Sequence, residues 1–196
     1  MPKETLNIAA IGDIHCADDS HGCIQKLFAQ LPARTDILLL CGDITDYGLP
    51  EEAQIVAREL AAAVRIPILA VLGNHDYESG RQDEVRRILT DGGIKVLDGE
   101  TFELEGIGFV GVKGFGGGFG RRMLEPWGEP AIKSFVREAL DEALKLERGL
   151  GKLHTSQRVV MLHYAPIAET IQGEPSETHP FLGSGRLEEP INRYGV

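Results

Sequence analysis

Four short stretches carry side chains that could do metal-assisted chemistry. Gly73-Asn74-His75-Asp76 sets an amide oxygen, an imidazole and a carboxylate side by side. Gly12-Asp13-Ile14-His15, Gly42-Asp43-Ile44-Thr45-Asp46 and His163 add further carboxylates and imidazoles. The donors are oxygen and nitrogen without thiolate, a set that suits Mn²⁺, Fe or Zn²⁺ better than a structural cysteine-zinc site. Asp43 has two oxygens and can bridge two cations. Two metals about 3.5–4 Å apart would clamp a phosphoryl group and generate a bridging hydroxide nucleophile. His75 stands next to Asn74 and is not needed as a ligand, so it suits the general acid that protonates a leaving oxygen. Asp46 could accept its other ring N–H and fix the tautomer.

Each stretch follows an apolar run. Ile8-Ala9-Ala10-Ile11 precedes Asp13, Ile37-Leu38-Leu39-Leu40-Cys41 precedes Asp43, Ile68-Leu69-Ala70-Val71-Leu72 precedes Asn74, and Val159-Val160-Met161-Leu162 precedes His163. Such runs read as buried strands. In a sheet with parallel central strands, ligand sites form outside the carboxyl ends. The expectation is therefore that Asp13, His15, Asp43, Asn74, His75 and His163 converge on one crevice. Asp13 and His15 lie two apart, which on extended backbone points both to the same side.

The elements that must position them follow from the same reading. Strands are expected at Leu6–Ile11, Asp36–Cys41 and Ile68–Leu72. Helices are expected after Ser20, from Pro50, and over Gln82–Thr90. Glu51, Glu52 and Glu59, like Glu138, Asp141, Glu142 and Glu147, read as solvated helix faces. Ile94–Leu97, Thr101–Leu104 and Ile107–Val112, separated by Asp98-Gly99-Glu100 and Glu105-Gly106, read as an antiparallel meander. A glycine-rich loop, Gly114 to Gly120, lacks the Gly-Lys-Ser/Thr ending of a phosphate loop, so its glycines are read as permitting a tight backbone path. Lys113, Arg121 and Arg122 beside it read as solvated charges, with reception of an anionic substrate as the alternative. The longest helix spans Pro130 to Arg148, with Ile132, Val136, Leu140 and Leu144 facing inward. A strand at Arg158–Leu162, a proline-bearing loop and a short helix with Leu187 and Ile191 complete the chain.

Composition narrows the class. The 196 residues suffice for one domain with a substantial core. A net charge of −10 without any basic tract disfavours nucleic acid as partner. No apolar run approaches the roughly 20 residues of a membrane span. Met1 to Thr5 show no signal-peptide pattern. Cys16, Cys23 and Cys41 form no C-x-x-C pair, so no disulfide framework is expected and the cytoplasm is the expected compartment.

Taken in order, Asp13-x-His15, Gly42-Asp43-x-x-Asp46, Gly73-Asn74-His75-Asp76 and His163 resemble the first four motifs of the calcineurin-like metallophosphoesterases. The resemblance covers nearly the whole chain. It implies an α/β fold, a four-layer αββα sandwich of two mixed sheets flanked by helices, with a dinuclear centre of two divalent ions (Mn, Fe or Zn). By family pattern Asp13, His15 and Asp43 would hold one metal, and Asp43, Asn74 and His163 the other. His75 would be the acid and Asp46 its orienting carboxylate. The implied activity is hydrolysis of a phosphodiester or a small phosphorylated metabolite. The alternative is a non-catalytic scaffold of the same fold, which would be expected to have lost acid or bridging residues. The family's fifth motif, Gly-His-x-His, has no counterpart here. The expectation that follows is a single domain over 1–196, truncated at its C-terminus and lacking its last strand. Such a chain would be weak or inactive, with an exposed sheet edge open to dimerisation.

Overall fold

The structure is a computed structural model that describes residues 5–196. Met1 to Glu4, read above for a leader, lie outside the described residues. The chain divides into two compact units, Met1–Leu97 and Asp98–Val196.

The first unit is a parallel sheet of β1 (Ile8–Ile11), β2 (Ile37–Cys41), β3 (Ile68–Val71) and β4 (Lys95–Val96), in that spatial order. Ile8 pairs with Ile37, Leu38 with Ile68, and Ala70 with Val96. The two central strands, β2 and β3, are apolar throughout because both of their faces are covered. β1 is at the edge, and its Ile8 is 39% exposed. Helices α1 (Cys23–Phe28), α2 (Pro50–Ala63) and α3 (Gln82–Asp91) connect the strands. Val56 and Leu60 of α2 and Val85 and Leu89 of α3 share one core with Leu38, Leu40 and Ala70 of the sheet.

Two acidic residues expected on a solvated face are instead buried. Glu52 is 1% exposed, and its carboxylate accepts the amides of Tyr47 (3.0 Å) and Leu49 (3.1 Å). It thereby satisfies an amide that the start of α2 would otherwise leave unpaired. Glu59 is 7% exposed and accepts the amides of Gly22 (2.6 Å) and Gln25 (3.1 Å), capping α1 from a neighbouring helix. Ser20, expected to cap that helix, instead accepts the amide of Ala17 (3.0 Å).

The second unit holds β5 (Thr101–Leu104), β6 (Ile107–Val112) and β7 (Gln157–Leu162). β5 and β6 form a hairpin in which Leu104 pairs with Ile107. The two residues between them, Glu105 (φ 50°) and Gly106 (φ 82°), both have positive φ, the signature of a tight primed turn. The meander goes no further. β4 joins β3 in the first sheet, and β7 runs parallel to β6, with Val110 opposite Val160. A parallel return needs a long crossover, which α4 (Pro130–Leu150) supplies.

The buried face of α4 also differs from the expected stripe. Val136, Ala139, Leu146 and Leu150 are buried, whereas Leu140 and Leu144 are 38% and 42% exposed. Steps of four overshoot a 3.6-residue turn by about 40° each, so the Ile132-Val136-Leu140-Leu144 series drifts off the face. Glu142 lies on the buried side at 1% exposure, where it accepts the Gly114 amide (2.8 Å) and the Lys145 ammonium (2.7 Å). Short helices α5 (His179–Leu182) and α6 (Glu188–Tyr194) close the unit. The molecule is thus a mixed α/β protein with two sheets flanked by helices. Among the described residues no helix is long and apolar enough to cross a membrane.

Candidate metal centre

In the first unit, the loops leaving β1 and β2 continue the ladder beyond the strands. Asp13 N–H donates to Gly42 O (3.1 Å), His15 N–H to Asp43 O (3.0 Å) and Cys16 N–H to Ile44 O (3.0 Å). Asp13, His15 and Asp43 take left-handed backbone conformations, at φ 55°, 46° and 47°. The extended geometry expected for Asp13 and His15 is therefore not what orients them. Only one other described non-glycine residue, the turn residue Glu105, has positive φ. Each such conformation costs on the order of 1–3 kcal/mol and gathers where function imposes it.

These loops bring side chains together. Single ligand atoms of His15, Asp43 and His75 lie within 4.8 Å of one another, and a carboxylate oxygen of Asp13 comes equally near Asp43. His15 Nε2 is 3.8 Å from Asp43 Oδ2. The rings of His15 and His75 meet edge to face at 4.5 Å. Asp43 is 4% exposed, and its Oδ1 accepts the His75 amide (2.9 Å). A Cβ on Gly73 would land on the Asp43 carboxylate and amide, so only glycine fits there. Asn74 is exposed and begins the single 3₁₀ turn His75–Tyr77.

Asp46 divides its work differently from the expectation. Its carboxylate faces His15, with Oδ1 3.2 Å from Nδ1. Its backbone carbonyl takes His75 Nδ1 at 2.6 Å. A carbonyl only accepts, so His75 carries a proton on Nδ1. That bond holds the His75 pKa above its ordinary value, with burial opposing and the charges of Asp43 and Asp46 assisting. For His15, a carboxylate behind Nδ1 and a free Nε2 toward Asp43 is the arrangement that steadies a metal-bound imidazole.

Asp76, the last residue of the Gly73-Asn74-His75-Asp76 stretch, joins two of these loops. It is fully buried. Its Oδ1 accepts Thr45 N–H (2.8 Å) and Thr45 O–H (2.6 Å), and its Oδ2 accepts Gly73 N–H (2.8 Å) and Ile44 N–H (3.2 Å). Burial pushes its pKa up, and the four donors counter that. The sequence signal was its place three residues after Gly73, within reach of that amide. Cys16, next to His15, is a buried thiol whose pKa burial pushes up to about 11, as a packing residue requires.

In the second unit, His163 directly follows β7 and is half-buried. Its amide and that of Tyr164 both donate to Lys113 O, at 3.1 and 3.0 Å. Its ring meets Tyr164 edge-on at 5.4 Å. Lys113 is buried at 6% exposure, not solvated. Its Nζ donates to Gly114 O (2.8 Å) and lies over the rings of Phe115 (4.7 Å) and Tyr164 (5.4 Å). Burial lowers its pKa against the pull of Glu142 and Glu138. Trp127 is 66% exposed and belongs to no core.

This strand-loop scaffold gathers aspartates and histidines under backbone strain, and comparison with known proteins gives its class. The calcineurin-like phosphoesterase family model matches residues 6–188, and the chain belongs to that family. A 46-residue segment, 24% of this chain and 16% of the relative, is 48% identical to glycerophosphodiester phosphodiesterase GpdQ of Enterobacter lignolyticus (strain SCF1). Several solved structures match, among them a crystal structure with a TM-score of 0.62 over 96% of this chain and 80% of the other. At 16% identity that likeness speaks to the fold alone.

Proposed function

We propose that this chain is a dinuclear metallophosphoesterase acting on phosphodiesters or small phosphorylated metabolites. Family membership and the GpdQ segment support phosphoester hydrolysis in general, and the family implies divalent metal cofactors. The observation that carries the finer reading is the meeting of Asp13 and His15 at Asp43, all three on left-handed backbone, with His75 beside them. Its oxygen and nitrogen donors, with Asp46 behind His15, fit a hard or borderline divalent ion such as Mn²⁺. When bound, such ions polarise phosphoryl oxygens and make water acidic enough to attack phosphorus.

In this reading Asp13, His15 and Asp43 hold one ion. Asp43, Asn74 and His163 hold the second by family pattern, within one domain that includes both units. His75 donates the proton that the leaving oxygen needs. The bond from Nδ1 to the Asp46 carbonyl aims Nε2, and the neighbouring carboxylates favour the protonated ring. Retention of His75, Asp43 and Asp46 favours catalysis over a scaffold role. A cytoplasmic enzyme with an exposed sheet edge open to dimerisation completes the proposal.

The test is hydrolysis of bis(4-nitrophenyl) phosphate with added Mn²⁺. Turnover should depend on Mn²⁺ and fall about 100-fold or more in His75→Ala. Turnover without metal, or unchanged in His75→Ala, would reject the mechanism.

A further inference from the structure

The glycine-rich loop, which the metal centre does not use, builds one wall of a cavity of about 780 Å³ wholly within the second unit. Gly117 N–H donates to Pro180 O (2.6 Å) and Gly118 N–H to Gly183 O (2.9 Å), so the loop is pinned to α5. A Cβ on Gly116 would come within 2.6 Å of Pro180 O, which glycine alone avoids. Phe119, Phe135, Phe181 and Ile132 make the lining largely apolar, with Phe135 and Phe181 set edge to face at 6.5 Å. The volume falls within the roughly 300–1,000 Å³ of small-molecule sites.

The polar lining has one sign. Arg122 lines the cavity, with Ser176 and His179, and among the described residues no carboxylate does. Arg122 lies in the short Gly120–Arg122 turn, with Arg121 beside it, and has no acidic partner among the described residues. His179 Nε2 is engaged with Glu174 O (3.1 Å), which leaves Arg122 as the principal anion donor. Arg122, itself exposed, is the one charged residue of this lining in a chain of net charge −10. An apolar chamber with one guanidinium complements a ligand that has a hydrocarbon body and an anionic end.

We propose that this cavity binds the alkyl chain of an anionic amphiphile, with the head group held at Arg122. Two sources share that chemistry, a fatty acid and an alkyl phosphoester. The site stands independently of the metal centre.

The experiment is isothermal titration calorimetry on the full chain, in EDTA and below micelle formation, with decanoate, monodecyl phosphate and decanol. EDTA keeps phosphate from reporting on metal. The expected result is one saturable site per chain. Arg122→Glu should weaken both anions by about tenfold or more and leave decanol unchanged. Ala131→Trp, at an exposed position on the first turn of α4, should block all three ligands. Tighter decyl phosphate supports the phosphoester source, and tighter decanoate the fatty acid. No saturable binding of either anion, indifference to Arg122→Glu, or full binding in Ala131→Trp would overturn the proposal. Hydrolysis of bis(4-nitrophenyl) phosphate by these variants separates this outcome from failure of the metal-centre reading.

Discussion

Removing the Asp76 carboxylate should unfasten the two loops that present Asp43 and His75. In Asp76→Ala, the amides of Ile44, Thr45 and Gly73 lose their acceptor, and so does the Thr45 hydroxyl. The hydroxyl can turn to another partner, but the three amides are fixed by their backbones. Each unsatisfied buried donor costs about 1–3 kcal/mol. Against that gross cost stands the desolvation of the carboxylate, whose upward-pushed pKa shows that burial opposes its charge. Loop relaxation and entering water reduce the loss further. A net destabilisation of about 3–5 kcal/mol remains, the size found when one partner of a buried charged network is removed. With a urea m-value of about 2 kcal/mol per M, the midpoint should fall by about 1.5–2.5 M. Asp76→Asn keeps one acceptor oxygen and should cost about 1–3 kcal/mol. The assay is urea unfolding followed by far-UV circular dichroism, with Mn²⁺ affinity measured by calorimetry below the transition. The fold should survive in weakened form while Mn²⁺ binding drops. An Asp76→Ala protein within about 0.5 kcal/mol of the parent, with Mn²⁺ affinity unchanged, would refute the argument.

Three further substitutions test neighbouring parts of the account. Gly73→Ala places a methyl on the Asp43 carboxylate and amide, so Mn²⁺ uptake should fall sharply while circular dichroism reports an intact fold. Asp46→Ala removes the carboxylate behind His15 but not the carbonyl that holds His75. Mn²⁺ affinity should therefore drop about 10–100-fold in calorimetry, with the His75 tautomer unchanged by NMR. Glu59→Gln weakens the remote cap of α1 and should cost about 0.5–2 kcal/mol at pH 7 in urea unfolding. Burial pushes the Glu59 pKa up, but the Gly22 and Gln25 amides outweigh it and hold the group below its ordinary 4.5. A lowered pKa stabilises above the unfolded value, so the difference between parent and variant should shrink as pH falls below about 4.5.

The sequence disclosed those parts of the fold that local pattern determines. Pro50 marked the start of α2, Glu105-Gly106 marked a two-residue hairpin, and the apolar runs marked β1, β2, β3 and β7 within one or two residues. Partners set by tertiary packing were not legible. Lys95–Val96 pairs with β3 because Leu97 N–H reaches Ala70 O (2.8 Å), a choice invisible in a short apolar segment. Glu52, Glu59 and Glu142 look solvated by periodicity but are buried because backbone amides need acceptors, distant ones for Glu59 and Glu142 and nearby ones for Glu52. At the site, the residue types pointed to metal chemistry. That the Asp46 carbonyl serves His75 while its carboxylate serves His15 depends on loop geometry that spacing does not encode. The left-handed backbone at Asp13, His15 and Asp43 was hidden for the same reason, since Asp and His tolerate it without requiring it.

The most direct measurement is metal stoichiometry, by equilibrium dialysis against Mn²⁺ followed by elemental analysis of the parent and of Asp43→Ala. The account predicts two ions per chain in the parent and loss of both when the shared carboxylate is removed. A parent that retains no Mn²⁺, or an Asp43→Ala protein that retains as much as the parent, would contradict it.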